Sequence, residues 1–518
     1  MVWSLPVGRR PLLNQDEARF AILAREAVED GQWLLPRVRG VIYLNKPPLY
    51  FWTVALLAAP FGAVNETTAP LASILAALAA LLAVIALGRR VWGWEVGAAA
   101  ALILGTAPYF YFMSHQVLSD MAMTAWLAWA LYFLLSARLE PGSPRALIGF
   151  YLCVAGALAT KGPAALMALL AALLVAVAED GWRRGLRSMR LPLGLGLLAL
   201  SALPWLLPYL LQTERSYVGS VVVGHYGDWY FREKAGSRLL ELRDNLGRFL
   251  PWAAFIPAGI WWWWRERDPR RRPLLIWTVA IGTLVSFSGE QRARYFLPVL
   301  PPLSLLIAEL LVRAPLEPSR RGRRLLLTTF GALLLVTVVA LALLLRAPIA
   351  AGARGPDPFI PDATWERWLV GALAVGGLAA ACWLLARRGD GFAATVALGV
   401  ALGGILFVQG WTYPPRYAAR TNIRGFTSAM AERLPPGARV FAYPDAGLAY
   451  DFYLRRPVRE IPAPAGLDAL LASPQPGDAL LMAEERWSAL QPAASARWQV
   501  LVADQVDRHR MVLLGQRS

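Results

Sequence analysis

Long apolar runs separated by short polar segments fill most of the chain between residues 69 and 409. Most of these runs come close to the roughly 20 residues that an α-helix needs to cross the hydrocarbon core of a bilayer. We therefore predict twelve membrane-spanning helices, over residues 69–88, 96–113, 121–137, 147–159, 163–178, 193–211, 249–264, 274–287, 296–311, 325–345, 369–386 and 392–409. The fold predicted from this pattern is mainly α and polytopic.

The pattern changes beyond residue 409, where short strand-like stretches replace the long apolar runs. Such stretches predict β-strands over residues 439–443, 478–482, 498–502 and 511–514, with helices over residues 446–454 and 466–472. We predict a membrane domain over residues 1–410, followed by a small water-soluble α/β domain over residues 411–518.

The segment before the first predicted span, residues 14–61, has a third pattern. Residues 18–29 have a helical composition, and the apolar stretch over residues 47–61 is too short to cross a bilayer comfortably. We predict that this segment is an outer loop with interfacial helices.

The composition supports a membrane protein and argues against nucleic acid as a partner. The 518 residues are 57% hydrophobic and only 17% charged, too little charge for the surface of a soluble protein of this length. The net charge of +17 lies in short arginine clusters between apolar runs, as the positive-inside rule predicts. Cys153 and Cys382 are too few to form a zinc cluster or a disulfide framework.

The basic clusters also predict which loops face the cytoplasm. They lie in alternate loops, at residues 89–90, 138–145, 183–190, 265–272, 313–324 and 387–388. All six can therefore be cytoplasmic together. The outer loop, the loops with Asp120, Lys161, His225 and Arg294, and the C-terminal domain are then extracytoplasmic, in a multi-pass protein of the inner (plasma) membrane.

This topology has both ends outside and an even number of spans, so some segment must translocate the start of the chain. Residues 1–13 are too short and too polar to be a signal peptide or a span. We therefore expect that a first transmembrane helix is missing from this sequence.

Lysine is rare in the chain and therefore informative. Lys46, Lys161 and Lys234 are the only lysines among 52 basic residues, and all three fall in predicted outer segments. Lysine is a compact point charge that suits a phosphate, whereas arginine suits a bidentate fork. The alternative is that these lysines are chance survivors in an arginine-rich composition.

Several short motifs resemble those of the GT-C glycosyltransferases. They are the stretches at residues 14–20 (NQDEARF), 33–37 (WLLPR), 43–49 (YLNKPPL), 119–120 (SD), 160–162 (TKG), 249–252 (FLPW) and 294–298 (RYFLP). The nearest resemblance is to the bacterial branch that holds the aminoarabinose transferases of lipid A and relatives of protein O-mannosyltransferases. It covers most of the membrane portion in the same order, although the family has a transmembrane helix before its Asp-Glu motif.

The resemblance implies an enzyme that takes a sugar from a polyprenyl-phosphate donor on the outer face of the membrane. The acceptor would be a hydroxyl or phosphate of a lipid or protein, in lipid A modification or protein glycosylation. This chemistry needs a carboxylate that orients or deprotonates the acceptor, and cations that neutralise the leaving phosphate.

Asp16 matches the catalytic aspartate of the family, which implies a general base. Its place before a predicted helix also suits an N-cap, which is the alternative role. Lys46 and Lys161 match positions expected near the donor phosphate. Arg294, with Arg292 as a weaker candidate, precedes an apolar run and could add phosphate contacts. Lys161 could instead snorkel from a helix end, and the arginines could be ordinary flanking residues.

Four residues are candidates for binding the acceptor or the sugar: Glu17, Asp120, His225 and Tyr295. Asp120 matches a second acidic position of the family, but it could equally cap the span that begins at Met121. His225 lies in an aromatic outer loop, where a lone histidine is usually structural.

The sequence departs from the aminoarabinose transferases at one motif position. They carry a glutamate directly before the motif lysine, whereas Asn45 stands before Lys46 here. This departure argues against a metal bound at that position. It also argues against aminoarabinose as the sugar. We predict that activity requires no metal and no other cofactor.

The alternative function is a transporter or flippase of lipid-linked substrates, which would also have many spans and an acidic residue near a lipid pathway. Transporters typically have internal repeats and ionisable residues at mid-membrane depth. The predicted spans here are nearly free of charge, which favours catalysis at the outer surface. A membrane scaffold that recruits a partner would leave the polar N-terminal segment unexplained.

Overall fold

Helices form most of the part of the chain that the computed structural model describes, residues 7–43, 45–140, 143–212, 238–287, 292–346, 361, 363–494 and 497–517. The helices are α1 Gln15–Glu29, α2 Leu49–Ala58, α3 Leu71–Val91, α4 Trp94–Gly105, α5 Pro108–Ser114, α6 Ser119–Leu139, α7 Pro144–Lys161, α8 Met167–Asp180, α9 Trp182–Ser188, α10 Leu191–Gln212, α11 Arg238–Gly247, α12 Ile256–Glu266, α13 Arg272–Ser286, α14 Leu300–Arg313, α15 Arg321–Arg346, α16 Thr364–Arg388, α17 Gly391–Thr421, α18 Ile423–Arg433, α19 Gly447–Leu454, α20 Pro464–Ala472 and α21 Glu484–Ala494. The strands are β1 Arg37–Val38, β2 Val41–Ile42, β3 Arg439–Ala442, β4 Val458–Glu460, β5 Asp478–Ala483, β6 Trp498–Val506 and β7 His509–Gln516.

Eight helical segments of the described chain are long and apolar enough to cross a membrane: Leu71–Val91, Ser119–Leu139, Pro144–Asp180, Leu191–Leu211, Ala293–Leu316, Arg321–Arg346, Thr364–Arg388 and Gly391–Arg433. The pair α4 and α5, bent by 70°, would be a ninth if it forms one span. The chain is therefore a multi-pass membrane protein, with fewer segments of this length than the twelve predicted. The predicted span over residues 249–264 overlaps α12, which has 11 residues, only from residue 256 onward. The predicted span over residues 274–287 falls on α13, which has 15 residues.

Two further predicted spans lie within the segment Pro144–Asp180, and polar contacts show that this segment turns back on itself. Lys161 at the end of α7 contacts Asp120 at the start of α6. At the opposite end of α6, Arg138 donates to Asp180 of α8 at 2.7 Å. Because the 21 residues of α6 separate its ends by about 31 Å, α7 and α8 must run in opposite directions.

Two of the predicted cytoplasmic clusters lie at the same end of the helical bundle. Arg90 at the end of α3 contacts Glu140, which directly follows α6. The clusters at residues 89–90 and 138–145 therefore lie together, as the positive-inside assignment requires.

The outer loop contains two helices, as predicted, but the first begins before residue 18. Asn14 caps α1, because its side-chain oxygen accepts a hydrogen bond from the Asp16 N–H at 2.8 Å. The N-cap role considered for Asp16 is therefore wrong, and its carboxylate is available for other contacts. The second helix, α2, packs against α1, α3 and α7.

The C-terminal part contains a five-stranded sheet with the order β4-β3-β5-β7-β6. β3 pairs in parallel with β4 and β5, and β7 pairs antiparallel to β5 and β6. All four predicted strands and both predicted helices are present, which confirms the small α/β fold. The strand β4 was not predicted, since three residues are too few to show an alternating pattern.

The last membrane helix extends further than its apolar run. The helix α17 continues past residue 410 to Thr421, with Pro414 and Pro415 inside it. An apolar run marks how far lipid contact extends, whereas a helix continues until its backbone hydrogen bonds end. The predicted boundary at residues 410–411 therefore lies inside this helix, which ends at Thr421.

Candidate active site

The Asp16 carboxylate lies in the first turn of α1 among three guanidinium groups. It accepts hydrogen bonds from Arg19 at 2.5 Å, Arg294 at 2.6 Å and Arg292 at 3.2 Å. Arg292 and Arg294 come from the segment before α14, 276 and 278 residues further along the chain. The fold thus brings Asp16 together with the two arginines that were predicted as phosphate contacts.

The surrounding charges keep Asp16 ionised. Burial raises the pKa of its carboxyl, but the charge and the hydrogen bond of Arg294, followed by the charges of Arg19 and Arg292, lower this pKa by more. The resulting pKa lies below the usual value for aspartate. An ionised carboxylate can orient a hydroxyl or accept its proton, but it is a weak base while it stays paired with arginines.

A second carboxylate, Asp120, lies in the first turn of α6 and is buried. The Lys161 ammonium donates to one of its oxygens, and the Arg294 Nε lies 3.6 Å from the other. Arg294 therefore lies between both carboxylates of the site. Lys161 points into the protein, with its Nζ 4.4 Å from the centroid of the Tyr295 ring, and does not snorkel towards water.

Lys46, between β2 and α2, belongs to the same cluster. Burial, followed by the positive charge of Lys161, lowers the pKa of its ammonium to about 8. The charges of Asp120 and Asp16 act in the opposite direction, and that of Arg294 adds to the lowering. Lys46 is therefore close enough to interact electrostatically with the same two carboxylates as the other predicted phosphate-binding residues.

A cavity of about 310 Å³ lies beside this cluster, lined by polar and aromatic side chains that include Asn14, Tyr109, Arg292, Arg294, Tyr413 and Tyr417. Two arginines from the Asp16 cluster thus form part of its wall. A cavity with fixed cations and aromatic rings suits an anionic ligand that also carries a sugar.

Glu17, predicted to bind acceptor or sugar, borders this cavity but is fully buried. Its two oxygens accept hydrogen bonds from the Arg10 guanidinium at 2.5 and 3.0 Å, and one also accepts the Val117 N–H at 2.9 Å. Glu17 thereby ties α1 to the turn before α6. Through this contact it holds Asp16 and Asp120 close to each other.

The sequence prediction omitted two arginines of the site. Arg19 lies one helical turn after Asp16, and this i,i+3 spacing could have revealed the ion pair. The pairing of Arg10 with Glu17 had no comparable signal, because Arg10 lies seven residues before Glu17 and outside the helix α1. His225 and Lys234 lie outside the described residues.

Among the described residues, no group of three His, Cys, Asp or Glu side chains could hold a metal ion. Asn45, which stands where aminoarabinose transferases carry a glutamate, is exposed beside Lys46. Independence of metal stays a prediction, and an experiment below tests it.

Comparison with known proteins supports the resemblance found in the motifs. A family model described as dolichyl-phosphate-mannose-protein mannosyltransferase matches residues 45–207. The undecaprenyl phosphate-alpha-4-amino-4-deoxy-L-arabinose arabinosyl transferase of Pseudomonas aeruginosa is 29% identical over 408 residues, 73% of this chain and 69% of its own length. Arabinosyl transferase 1 of Pseudomonas fluorescens is 28% identical over 338 residues, and the chain aligns with only 58% of its length.

The fold is similar to a solved structure over nearly its whole length. The crystal structure of ArnT from Cupriavidus metallidurans bound to undecaprenyl phosphate aligns with 99% of this chain, and the alignment covers 96% of the ArnT chain. The TM-score is 0.81 at 23% sequence identity. The motifs, the family match and the relatives together support a membrane glycosyltransferase, and the fold of the chain is similar to that of ArnT.

Proposed function

We propose that this enzyme transfers a sugar from a polyprenyl-phosphate donor to an acceptor at the extracytoplasmic face of the inner membrane. The main support is the convergence of two carboxylates and five cations from five separate segments beside one cavity: Asp16, Asp120, Arg19, Lys46, Lys161, Arg292 and Arg294. Relatives of the chain are named as transferases that use an undecaprenyl-phosphate-linked sugar. Lipid A is the acceptor to test first, and a protein is the alternative.

The excess of cations fits the leaving group of this reaction. When the bond between the sugar and the phosphate breaks, negative charge develops on the polyprenyl phosphate. Preorganised cations stabilise such charge without needing to reorganise. We assign Lys46, Lys161 and Arg294 to the donor phosphate, and the half-exposed Arg292 to a supporting contact.

The arginines around Asp16 link donor binding to its role as a base. When the phosphate of the sugar donor binds Arg292 and Arg294, it competes with the Asp16 carboxylate for the N–H groups of these arginines. Release from these arginines raises the pKa of Asp16 towards its usual value, which makes it a better base for an acceptor hydroxyl. An acceptor phosphate is already ionised at neutral pH, and Asp16 then needs only to orient it.

The position of the cluster disfavours the transporter alternative. Asp120 lies in the first turn of α6, Lys161 is the last residue of α7, and Arg294 is near the start of the segment Ala293–Leu316. The charged residues of the site therefore lie at the ends of membrane segments, whereas a transport pathway places them at mid-membrane depth.

The proposed function predicts sugar transfer by the purified full chain in vesicles. With a donor labelled in its sugar, we expect label in the acceptor and an equal amount of released polyprenyl phosphate. A chelator such as EDTA is expected to leave the rate unchanged. Movement of intact donor across the vesicle membrane without product would instead support a flippase, and loss of activity that zinc restores would show a required metal.

The pKa of Lys46 predicts an alkaline limit to donor use. Below about pH 8 the Lys46 ammonium is charged and can bind the donor phosphate, and above about pH 8 this charge is lost. We therefore expect kcat/KM for the donor to fall as the pH rises through about 8. The variant Lys46→Arg keeps its charge at all these pH values and should lose this alkaline fall, so a fall that persists in it would assign the titration to another group.

A further inference from the structure

The catalytic loop, residues 14–46 with all but residue 44 described, contacts the C-terminal α/β domain through a two-stranded hairpin. β1 and β2 are joined by Arg39 and Gly40, which have φ values of 55° and 80°. A two-residue turn with both φ values positive favours Asn, Asp or Gly at its first position. Arginine at this position therefore suggests that its side chain has a task outside the hairpin.

The Arg39 side chain reaches from the tip of the hairpin into the C-terminal domain. Its Nε and Nη2 donate to the two carboxylate oxygens of Asp451 at 2.9 and 2.7 Å, and its Nη1 donates to Glu460. Asp451 is buried and also accepts the Val458 N–H at 3.0 Å. This is a bidentate ion pair in a fixed setting, the geometry in which arginine best defines a position.

The same part of the C-terminal domain also contacts the chain on both sides of Asp16. Before it, the Leu12 N–H donates to the Tyr453 hydroxyl at 2.8 Å. After it, Arg25 donates to the Phe452 carbonyl at 2.8 Å. The helix α19 therefore holds the segment that carries Asp16 at two points.

The base of the hairpin connects these contacts to the phosphate-binding lysine. The Arg37 N–H donates to Glu26 of α1 at 2.8 Å, and the Tyr43 N–H donates to the Pro36 carbonyl at 2.9 Å. Lys46 follows three residues after Tyr43. The placement of the hairpin relative to α1 thus decides where Lys46 lies relative to Asp16.

From these contacts we propose that the C-terminal domain positions the donor side of the active site, with Arg39 and Asp451 as the positioning pair. This inference rests on the proposed function, because Lys46 and Asp16 are assigned there to phosphate and acceptor. It differs from a role in choosing the acceptor, since the contacts reach the loop that carries the donor-binding lysine.

The test compares Arg39→Ala with Arg439→Ala in the full chain. Arg439 forms an equivalent bidentate pair with the buried Asp478 at 2.8 and 2.9 Å, but this pair joins β3 to β5 inside the C-terminal domain. Both variants lose one bidentate pair to a buried aspartate, so they control for general destabilisation. Only Arg39→Ala should lower kcat/KM for the donor, by about tenfold or more.

Two further readouts separate positioning from mere stability. In Arg39→Ala, Lys46 should move towards water, so the alkaline fall near pH 8 should shift to higher pH. Amide hydrogen exchange of residues 37–43 should also become faster, with no such change in Arg439→Ala. The double variant Arg39→Ala/Asp451→Asn should be no slower than Arg39→Ala alone, because the two residues act through one contact.

Binding of undecaprenyl phosphate, measured in parallel, separates the two proposals. A wild type that binds this lipid but transfers no sugar refutes the proposed function. An Arg39→Ala variant with faster exchange but with donor kinetics and pH profile like wild type refutes the positioning role, as do equal kinetic losses in Arg39→Ala and Arg439→Ala.

Discussion

Asp16→Asn is expected to lower kcat by about 10²- to 10⁴-fold, the usual contribution of a positioned acid or base. Asparagine has nearly the same size but cannot take a proton from the acceptor. It also cannot hold Arg292 and Arg294 by charge, so these side chains should bind the donor phosphate without competition. Donor affinity should therefore stay the same or increase while turnover falls.

A fall in turnover without a loss of donor affinity distinguishes this prediction from general damage to the site. Turnover and affinity can be measured by single-turnover transfer together with binding of undecaprenyl phosphate. Asp30→Asn, at the exposed far end of α1, removes a carboxylate from the same region without touching the site and is the matched control. Turnover of Asp16→Asn within twofold of wild type would remove Asp16 as the base.

Lys161→Met is expected to cost about 3–5 kcal/mol of folding free energy and to abolish transfer. It leaves the buried Asp120 without the ammonium that compensates its charge, and breaking one side of a buried ion pair has this cost. It also removes a predicted phosphate contact. Thermal unfolding in detergent and the transfer assay measure the two effects separately.

The double variant Asp120→Asn/Lys161→Met distinguishes a structural pair from a functional one. Removing both charges relieves the uncompensated carboxylate, so most of the lost stability should return. Activity should stay low, because the site would still lack a cation for the phosphate and a carboxylate beside Arg294. Recovery of both stability and activity would show that the pair only supports the fold.

Much of this protein can be predicted from local patterns in its sequence. A run of about twenty apolar residues dictates a membrane helix because the bilayer offers the backbone no other hydrogen-bond partners. The strands β3, β5, β6 and β7 could likewise be predicted from short strand-like stretches. The residues Asp16, Lys46, Lys161 and Arg294 could be chosen because the motifs around them resemble those of the GT-C glycosyltransferases.

Other features follow from contacts between distant segments, which no local pattern reports. Apolarity alone could not show that Asn14 caps α1 and leaves Asp16 for the arginines. The buried pairing of Glu17 with Arg10 could not be predicted, because Arg10 lies outside the helix that carries Glu17. No local pattern marks Arg39 as important, because its partner Asp451 lies 412 residues away.

The physical reason is that the two kinds of interaction act over different distances along the sequence. Hydrophobic burial and backbone hydrogen bonding act over one helix or strand, so a sequence window of that length contains the information. Ion pairs between segments depend on how helices pack, and packing is decided by the whole chain at once. The sequence alone therefore predicted a membrane enzyme with a candidate set of phosphate-binding residues, and the packing of the chain decided which of these residues meet.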